Sequence, residues 1–296
     1  MYAEAIKGLN TIKDFIRFAA SVLAGGNLSY GHATANYKDE AIALVLAALN
    51  LQPDFDQYFW DAVLLSSEKK RIAEFLEKRA DKKIPLPYIT HEAWFAGLSF
   101  YVDERVLVPR SPVAELLNAG FEPWIGGGYP QRILDLCTGS GCIAIACAYY
   151  FEGAEIDAVD ISEDAIEVAQ KNNRQHGTEP FVSIIKSDMF SNLDKNRKYD
   201  LIISNPPYVD KPDMDSLPQE FRHEPEIGLT AGDDGLYFAR IILEQAKDFL
   251  TEDGLLVVEV GNSCEALMRE FPQHNFFWPE FENGGHGVFV IKAEDL

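Results

Sequence analysis

Cysteine is scarce in this 296-residue chain, at positions 137, 142, 147 and 264 only, and no two form a C-x-x-C pair. That spacing excludes a thiolate zinc site and a disulfide-stapled scaffold. Three of the four fall in one apolar stretch, so buried free thiols in a reducing compartment are expected. The six histidines (His32, His91, His176, His223, His274, His286) show no ligand spacing, and no metal is expected. Long hydrophobic runs are also missing. The longest, AIALVLAALNL at 41–51, is too short to cross a bilayer. No basic-then-apolar leader is visible at the N-terminus. A cytoplasmic protein with no membrane partner is the expectation.

Positive charge is short in one part of the chain. The whole sequence has 26 Lys/Arg against 47 Asp/Glu, a net charge of −21. Residues 1–84 hold 11 of each sign, which leaves 15 basic and 36 acidic residues for 85–296. An acidic surface repels nucleic acid, whose binding rests on Lys/Arg contacts to phosphates. It attracts basic proteins and speeds their encounter. No stable nucleic-acid partner is expected, and a basic protein partner is.

Residues 1–84 have helical periodicity and almost no strand signal. TIKDFIRFAASVLAGG puts Ile12, Phe15, Ile16, Ala19 and Leu23 on one face. KDEAIALVLAALNL and SEKKRIAEFLEKRAD predict two further helices, the last with Ser67 as N-cap. A small helical domain over 1–84 follows. In 85–109, aromatic and β-branched residues on either side of Gly97 predict a β-hairpin linker. From 110 to 296 the chain alternates strands (RILDL, EIDAVD, FVSIIK, YDLIIS, GLLVVEV) with helices, as a parallel doubly wound sheet does. NFFWPEF and GVFVIK, joined by ENGGH, predict a last strand that returns antiparallel.

Chemistry collects at the strand ends. After RILDL comes CTGSG, where Gly139 and Gly141 allow a tight strand-to-helix turn and close approach to a ligand. Gly139-x-Gly141-x-x-Ala144 fits the dinucleotide pattern, with Asp160 nineteen residues after Gly141. Asp160 ends the second strand and can accept hydrogen bonds from two ribose hydroxyls. Ser162 is the expected cap of the helix after it. Asp188, after the third strand, can accept from an exocyclic amine, with Met189 and Phe190 placed to sandwich a ring. YDLIIS then runs into Asn205-Pro206-Pro207-Tyr208. Prolines cannot continue a central strand. They present fixed carbonyls without a competing N–H. With the Asn205 side chain they can accept both hydrogens of a planar –NH₂ group, while Tyr208 covers its face. Such nitrogens are weak nucleophiles, and holding one at near-attack distance is the catalysis available.

These residues resemble the Rossmann-like S-adenosylmethionine-dependent methyltransferases. N-P-P-Y is similar to the branch that methylates amino and amide nitrogens, which includes protein-glutamine and DNA amino-methyltransferases. The resemblance implies α/β architecture with a seven-stranded sheet, its last strand antiparallel, beside a small all-α domain. It implies S-adenosylmethionine as cofactor and S-adenosylhomocysteine as product. The cofactor residues implied are Asp135, Cys137, Thr138, Gly139, Ser140, Gly141, Cys142, Asp160, Ile161, Asp188, Met189 and Asn205. Asn205, Pro206, Pro207 and Tyr208 are the catalytic set. The helical start, the hairpin and VLVPRSPVAELL (106–117) resemble the protein-glutamine N5-methyltransferases. Where the release-factor enzymes carry an R-P-E-T-E-like segment, this chain has Arg110-Ser111-Pro112-Val113-Ala114-Glu115. That departure, with SYGHATAN, LLSSEKKRI, FRHEPEIGL and ENGGHGVF, resembles the branch acting on large-subunit ribosomal protein three. Release-factor methylation, DNA methylation and a nicotinamide oxidoreductase stay open as alternatives. The Glu224-Pro225-Glu226 segment is a candidate cover for the site.

Overall fold

A computed structural model describes residues 1–125 and 128–296. They form two compact units. One holds Met1–Glu92 together with Pro218–His223, and the other holds Ala93–Leu217 and Glu224–Leu296. The hairpin expected as a linker therefore counts with the second unit.

The first unit is helical: α1 (Tyr2–Gly8), α2 (Ile12–Gly25), α3 (Tyr37–Ala48), α4 (Ser66–Ala80) and α5 (Leu86–Thr90). Thr11 and Asp14 start α2 with a reciprocal capping box, each side chain taking the other's backbone N–H. The apolar face of α2 buries Ile12, Phe15, Ala19 and Leu23 against Leu44, Val45, Ile72 and Leu76. Helix α4 begins one residue before the expected cap. Ser67 lies inside its first turn, and Glu68 instead accepts the N–H of Leu65 at 2.7 Å. A cluster of charged side chains is enclosed here. Arg79, 1% exposed, pairs with Glu40 and Glu220 and donates to the Ser29 carbonyl. Glu220 belongs to the short return segment, and its ion pair gives that segment its place in this unit.

The second unit opens with β1 (Ala93–Phe95) and β2 (Leu98–Phe100), an antiparallel pair. Ala96 and Gly97 join them, both with positive φ, as a tight hairpin turn requires. Next come α6 (Val113–Asn118), β3 (Arg132–Leu136), α7 (Cys142–Tyr150), β4 (Glu155–Asp160), α8 (Glu163–His176), β5 (Val182–Lys186) and β6 (Tyr199–Ser204). They are followed by α9 (Lys211–Ser216), α10 (Tyr237–Gln245), β7 (Leu250–Glu259), α11 (Cys264–Glu270) and β8 (Val288–Lys292). The sheet order is β5-β4-β3-β6-β7-β8, parallel except for β8. Its residues alternate between two cores. Ile133, Leu201, Ile203 and Val257 face one side with α7, while Leu134, Ile202, Leu256 and Val258 face the other with α10.

Among the described residues the sheet has six strands, where seven were expected. The stretch NFFWPEF contributes one antiparallel bridge only, Phe277 to Val290, with N–H···O distances of 2.9 and 2.8 Å. Pro279, two residues on, has no N–H to give, so the pairing stops there. All four cysteines are free, Cys142 and Cys147 buried and Cys137 and Cys264 half-buried. No helix among the described residues is long and apolar enough to cross a membrane.

Candidate active site

β3 and β6 are register neighbours, with Leu136 opposite Ser204. The chain thus leaves the sheet side by side at Cys137 and at Asn205. Ser204 donates its hydroxyl to the Leu136 carbonyl at 2.9 Å and ties the two ends together. β4 and β5 end alongside, at Asp160 and Lys186. All four segments singled out in the sequence therefore lie along one edge, at the C-terminal ends of adjacent parallel strands. Ligands bind at such edges.

The glycine loop uses its two glycines differently. Gly141 (φ +80°) begins α7, and an added Cβ would stand 3.3 Å from Cβ of Ala169, so it lets α7 approach α8. Gly139 (φ +55°) has nothing within 4 Å of such a Cβ. Its backbone faces open space, which suits the close approach of a ligand. Cys137 takes the left-handed region without being glycine (φ +58°), as does Met189 (φ +47°), and their sulfurs lie 3.7 Å apart. Backbone strain of this kind clusters at functional sites. Burial pushes the Cys137 thiol well up and that of Cys142 to about 12, so neither is a thiolate.

Asp135 is fully buried under the loop. It accepts from Thr138 Oγ1 at 2.5 Å and from the Ala144 N–H at 3.2 Å, both on Oδ2. Its Oδ1 is buried without a partner, and burial raises the carboxyl to about 7. Asp160 accepts the N–H of Gly139 and the N–H of Ser162, each at 2.9 Å. Burial raises its carboxyl against these two bonds. Ile161 beside it is 50% exposed, and Ser162 caps α8 through the Ala165 N–H. Asp188 is exposed, and Met189 is buried. Phe190 departs from the expectation that it helps hold a ring. It is 2% exposed and stacks on Phe249 at 4.8 Å, inside the core beneath α10. Met189 beside it belongs to the same buried cluster.

Asn205 is half-buried at the end of β6, and Pro206 and Pro207 are buried. Tyr208 is held from several directions. Its hydroxyl donates to Glu259 Oε1 at 2.9 Å, and its carbonyl accepts from Ser263 Oγ at 3.3 Å. Beyond it, Val209 exchanges backbone bonds with Leu229 and Ala231.

Two neighbours, Glu259 and Asn172, carried no local signal in the sequence. Glu259 ends β7, 5% exposed, and also accepts from Ser111 Oγ at 2.6 Å. Burial raises its carboxyl, while Ser111, Tyr208 and the charge of Arg110 oppose that rise. Arg110 forks onto Glu224 with distances of 2.6 and 3.0 Å. That bidentate pair fixes the Glu224-Pro225-Glu226 segment suggested as a cover. Asn172 of α8, fully buried, donates to the Ser140 carbonyl and exchanges two bonds with Tyr101. Among the described residues no group of three or more His, Cys, Asp or Glu could hold a metal ion.

The fold and this edge define a Rossmann-like methyltransferase. Residues 127–234 match the family model "Methyltransferase small domain". The hMettl16 catalytic domain, solved with an RNA hairpin, superposes with a TM-score of 0.54 at 18% identity, covering 89% of this chain and 96% of that one. At that identity the likeness speaks for fold alone. Two relatives are far nearer in sequence. The ribosomal protein uL3 glutamine methyltransferase of Francisella tularensis is 48% identical over 99% of this chain and 93% of its own length. The protein of that name from Xanthomonas campestris is 48% identical over 100% of this chain and 96% of its own. The chain belongs to the family of ribosomal protein uL3 glutamine methyltransferases.

Proposed function

We propose that the protein moves a methyl group from S-adenosylmethionine to the side-chain amide nitrogen of one glutamine in ribosomal protein uL3. When bound, the cofactor supplies an electrophilic methyl group on a sulfonium. Transfer of that methyl to the amide nitrogen would leave S-adenosylhomocysteine as product and release one proton from the nitrogen. The residues present fit that cofactor. Gly139 offers an open backbone cradle, and the unpartnered buried Oδ1 of Asp135 suits a cationic donor such as a methionyl ammonium. Cys137 to Cys142 line the methionine part. Asp160 and Ile161 take the ribose, and Asp188 and Met189 the adenine.

On the substrate side, the Asn205 side-chain oxygen and the Pro206 carbonyl accept the two amide hydrogens. Pro207 keeps that backbone rigid, and Tyr208 packs against the amide. Orientation is the main device, because an amide nitrogen has a delocalised lone pair. The helical unit recognises the protein substrate, and the acidic second unit attracts it, since a protein built to bind ribosomal RNA is rich in Lys and Arg. Such a substrate is met in the cytoplasm.

One observation carries this reading: Leu136 and Ser204 are paired on adjacent strands, so the glycine loop and the Asn205–Tyr208 segment open onto the same edge. The test is methyl transfer from isotopically labelled S-adenosylmethionine to purified uL3 and, separately, to a release factor, with fragment masses locating the label. One methyl on a glutamine of uL3 and none on the release factor is expected. Label on the release factor alone overturns the substrate.

A further inference from the structure

We infer that Glu259 is a positioning residue for Tyr208, and that Ser111 holds Glu259 in place for that task. The inference rests on the reading of Tyr208 as a wall of the amide site. Three chain segments meet here: the end of β7, the loop after β6, and residue 111 before α6. The Tyr208 hydroxyl donates to one carboxylate oxygen of Glu259 at 2.9 Å, and the Ser111 hydroxyl donates to the other at 2.6 Å. Both oxygens are engaged, each by a hydroxyl from a different segment.

The ring has little freedom elsewhere. An added Cβ on Gly261 (φ +48°) would lie 2.5 Å from Cε2 of Tyr208, so the ring rests directly on that backbone. An added Cβ on Gly235 (φ +73°) would lie 2.5 Å from the Tyr208 carbonyl oxygen. Two glycines thus admit the tyrosine, and the carboxylate fixes its far end. A hydrogen bond at the phenol oxygen acts at the end of the lever and restricts the swing of the whole ring about χ1.

A buried carboxylate is an expensive way to fill space. Apolar residues of like volume often serve stability as well or better. Glu259 is 5% exposed and lies one strand away from Asn205, since β6 and β7 are paired up to Ser204 and Val258. A carboxylate placed there, with a hydroxyl on each oxygen, is explained by a need to hold the Tyr208 ring. Displacing a positioned group by about 1 Å can cost on the order of 100-fold in rate.

The test uses the full chain with uL3 and S-adenosylmethionine. Glu259→Ala should lower kcat at least about tenfold, with cofactor affinity kept within about twofold. Glu259→Gln, which keeps an acceptor for the phenol, should recover most of that loss. In a double-mutant cycle, adding Glu259→Ala to Tyr208→Phe should cost little beyond Tyr208→Phe alone. Multiplying losses, or a glutamine variant as poor as the alanine one, overturn the inference. Should Glu259→Ala fail to fold, Ser111→Ala takes its place in the cycle with Tyr208→Phe, and multiplying losses again overturn the inference. A second readout needs no substrate: ¹⁹F NMR of 3-fluorotyrosine at position 208. One resonance position in the native chain and a shifted, broadened one in Glu259→Ala support positioning, and identical spectra refute it. Absence of methyl transfer by the native chain would refute the proposed function instead, and the ¹⁹F result would still decide the role of Glu259.

Discussion

The N–H of Gly139 donates to Oδ2 of Asp160 at 2.9 Å, joining the loop after β3 to the end of β4. The other oxygen of Asp160 takes the N–H of Ser162 at the same distance. The carboxylate therefore shapes the glycine loop as well as taking the proposed ribose role. Removing it takes away both functions. Asp160→Ala should weaken S-adenosylmethionine binding by about 10- to 100-fold, the loss of one or two charge-assisted hydrogen bonds. Calorimetric titration measures it, and an unchanged dissociation constant would sink the assignment.

Asn205→Ala should act on turnover. Asn205 follows the end of β6, beside the start of the glycine loop, and an orienting group of the proposed kind is worth about 100-fold in kcat. Cofactor affinity should stay within about twofold. Titration and a methyl-transfer assay on the same preparation separate the two. Equal losses in both would show that Asn205 serves the cofactor alone.

Asp135 gives the cofactor-free protein a pH dependence of known sign. Burial raises its carboxyl to about 7 from an ordinary value near 4. The protonated form is the one the fold favours. Its contribution to stability is full below about pH 4 and is lost as pH rises to about 7. Asp135→Asn has no proton to lose. The stability of that variant relative to the native chain should rise from pH 4 to 7 and level off above. Urea unfolding at pH 5 and pH 8 checks it, and a constant difference would contradict the buried-carboxyl account.

Arg79→Ala should unfold the helical unit readily. The guanidinium is enclosed with Glu40 and Glu220 and donates to Ser29 at 2.8 Å. Removing it strands two buried carboxylates, a loss of about 3–5 kcal/mol. Denaturant unfolding followed by helical circular dichroism measures the cost. A change below about 1 kcal/mol would mean the carboxylates find other partners or water.

Much of this protein was written in short-range pattern. Alternating and continuous apolar runs marked β3 to β8, because a strand's burial is decided residue by residue along its own length. The turn at Gly139–Gly141 and the break at Pro206–Pro207 were legible because they depend on backbone chemistry at those residues alone. Ser162 was legible as a cap for the same reason, whereas Ser67 was not, since Glu68 closes α4 from within its first turn.

Contacts made across long stretches of chain left no such trace. Tyr208 reaches Glu259, Ser111 reaches the same carboxylate over 148 residues, and Arg110 finds Glu224 over 114. The six residues Pro218–His223 lie far along the chain from the helical unit, and the Arg79–Glu220 ion pair places them in it. The side to which Phe190 turns and the number of strands in the sheet were decided in the same way. By itself the sequence determined most helices and strands and the turn and proline break at the strand ends, since these follow from neighbours a few positions away. Only the tertiary structure decided which side chains hold the chemical ones in place, because that depends on strand order and packing that bring distant residues within hydrogen-bond reach.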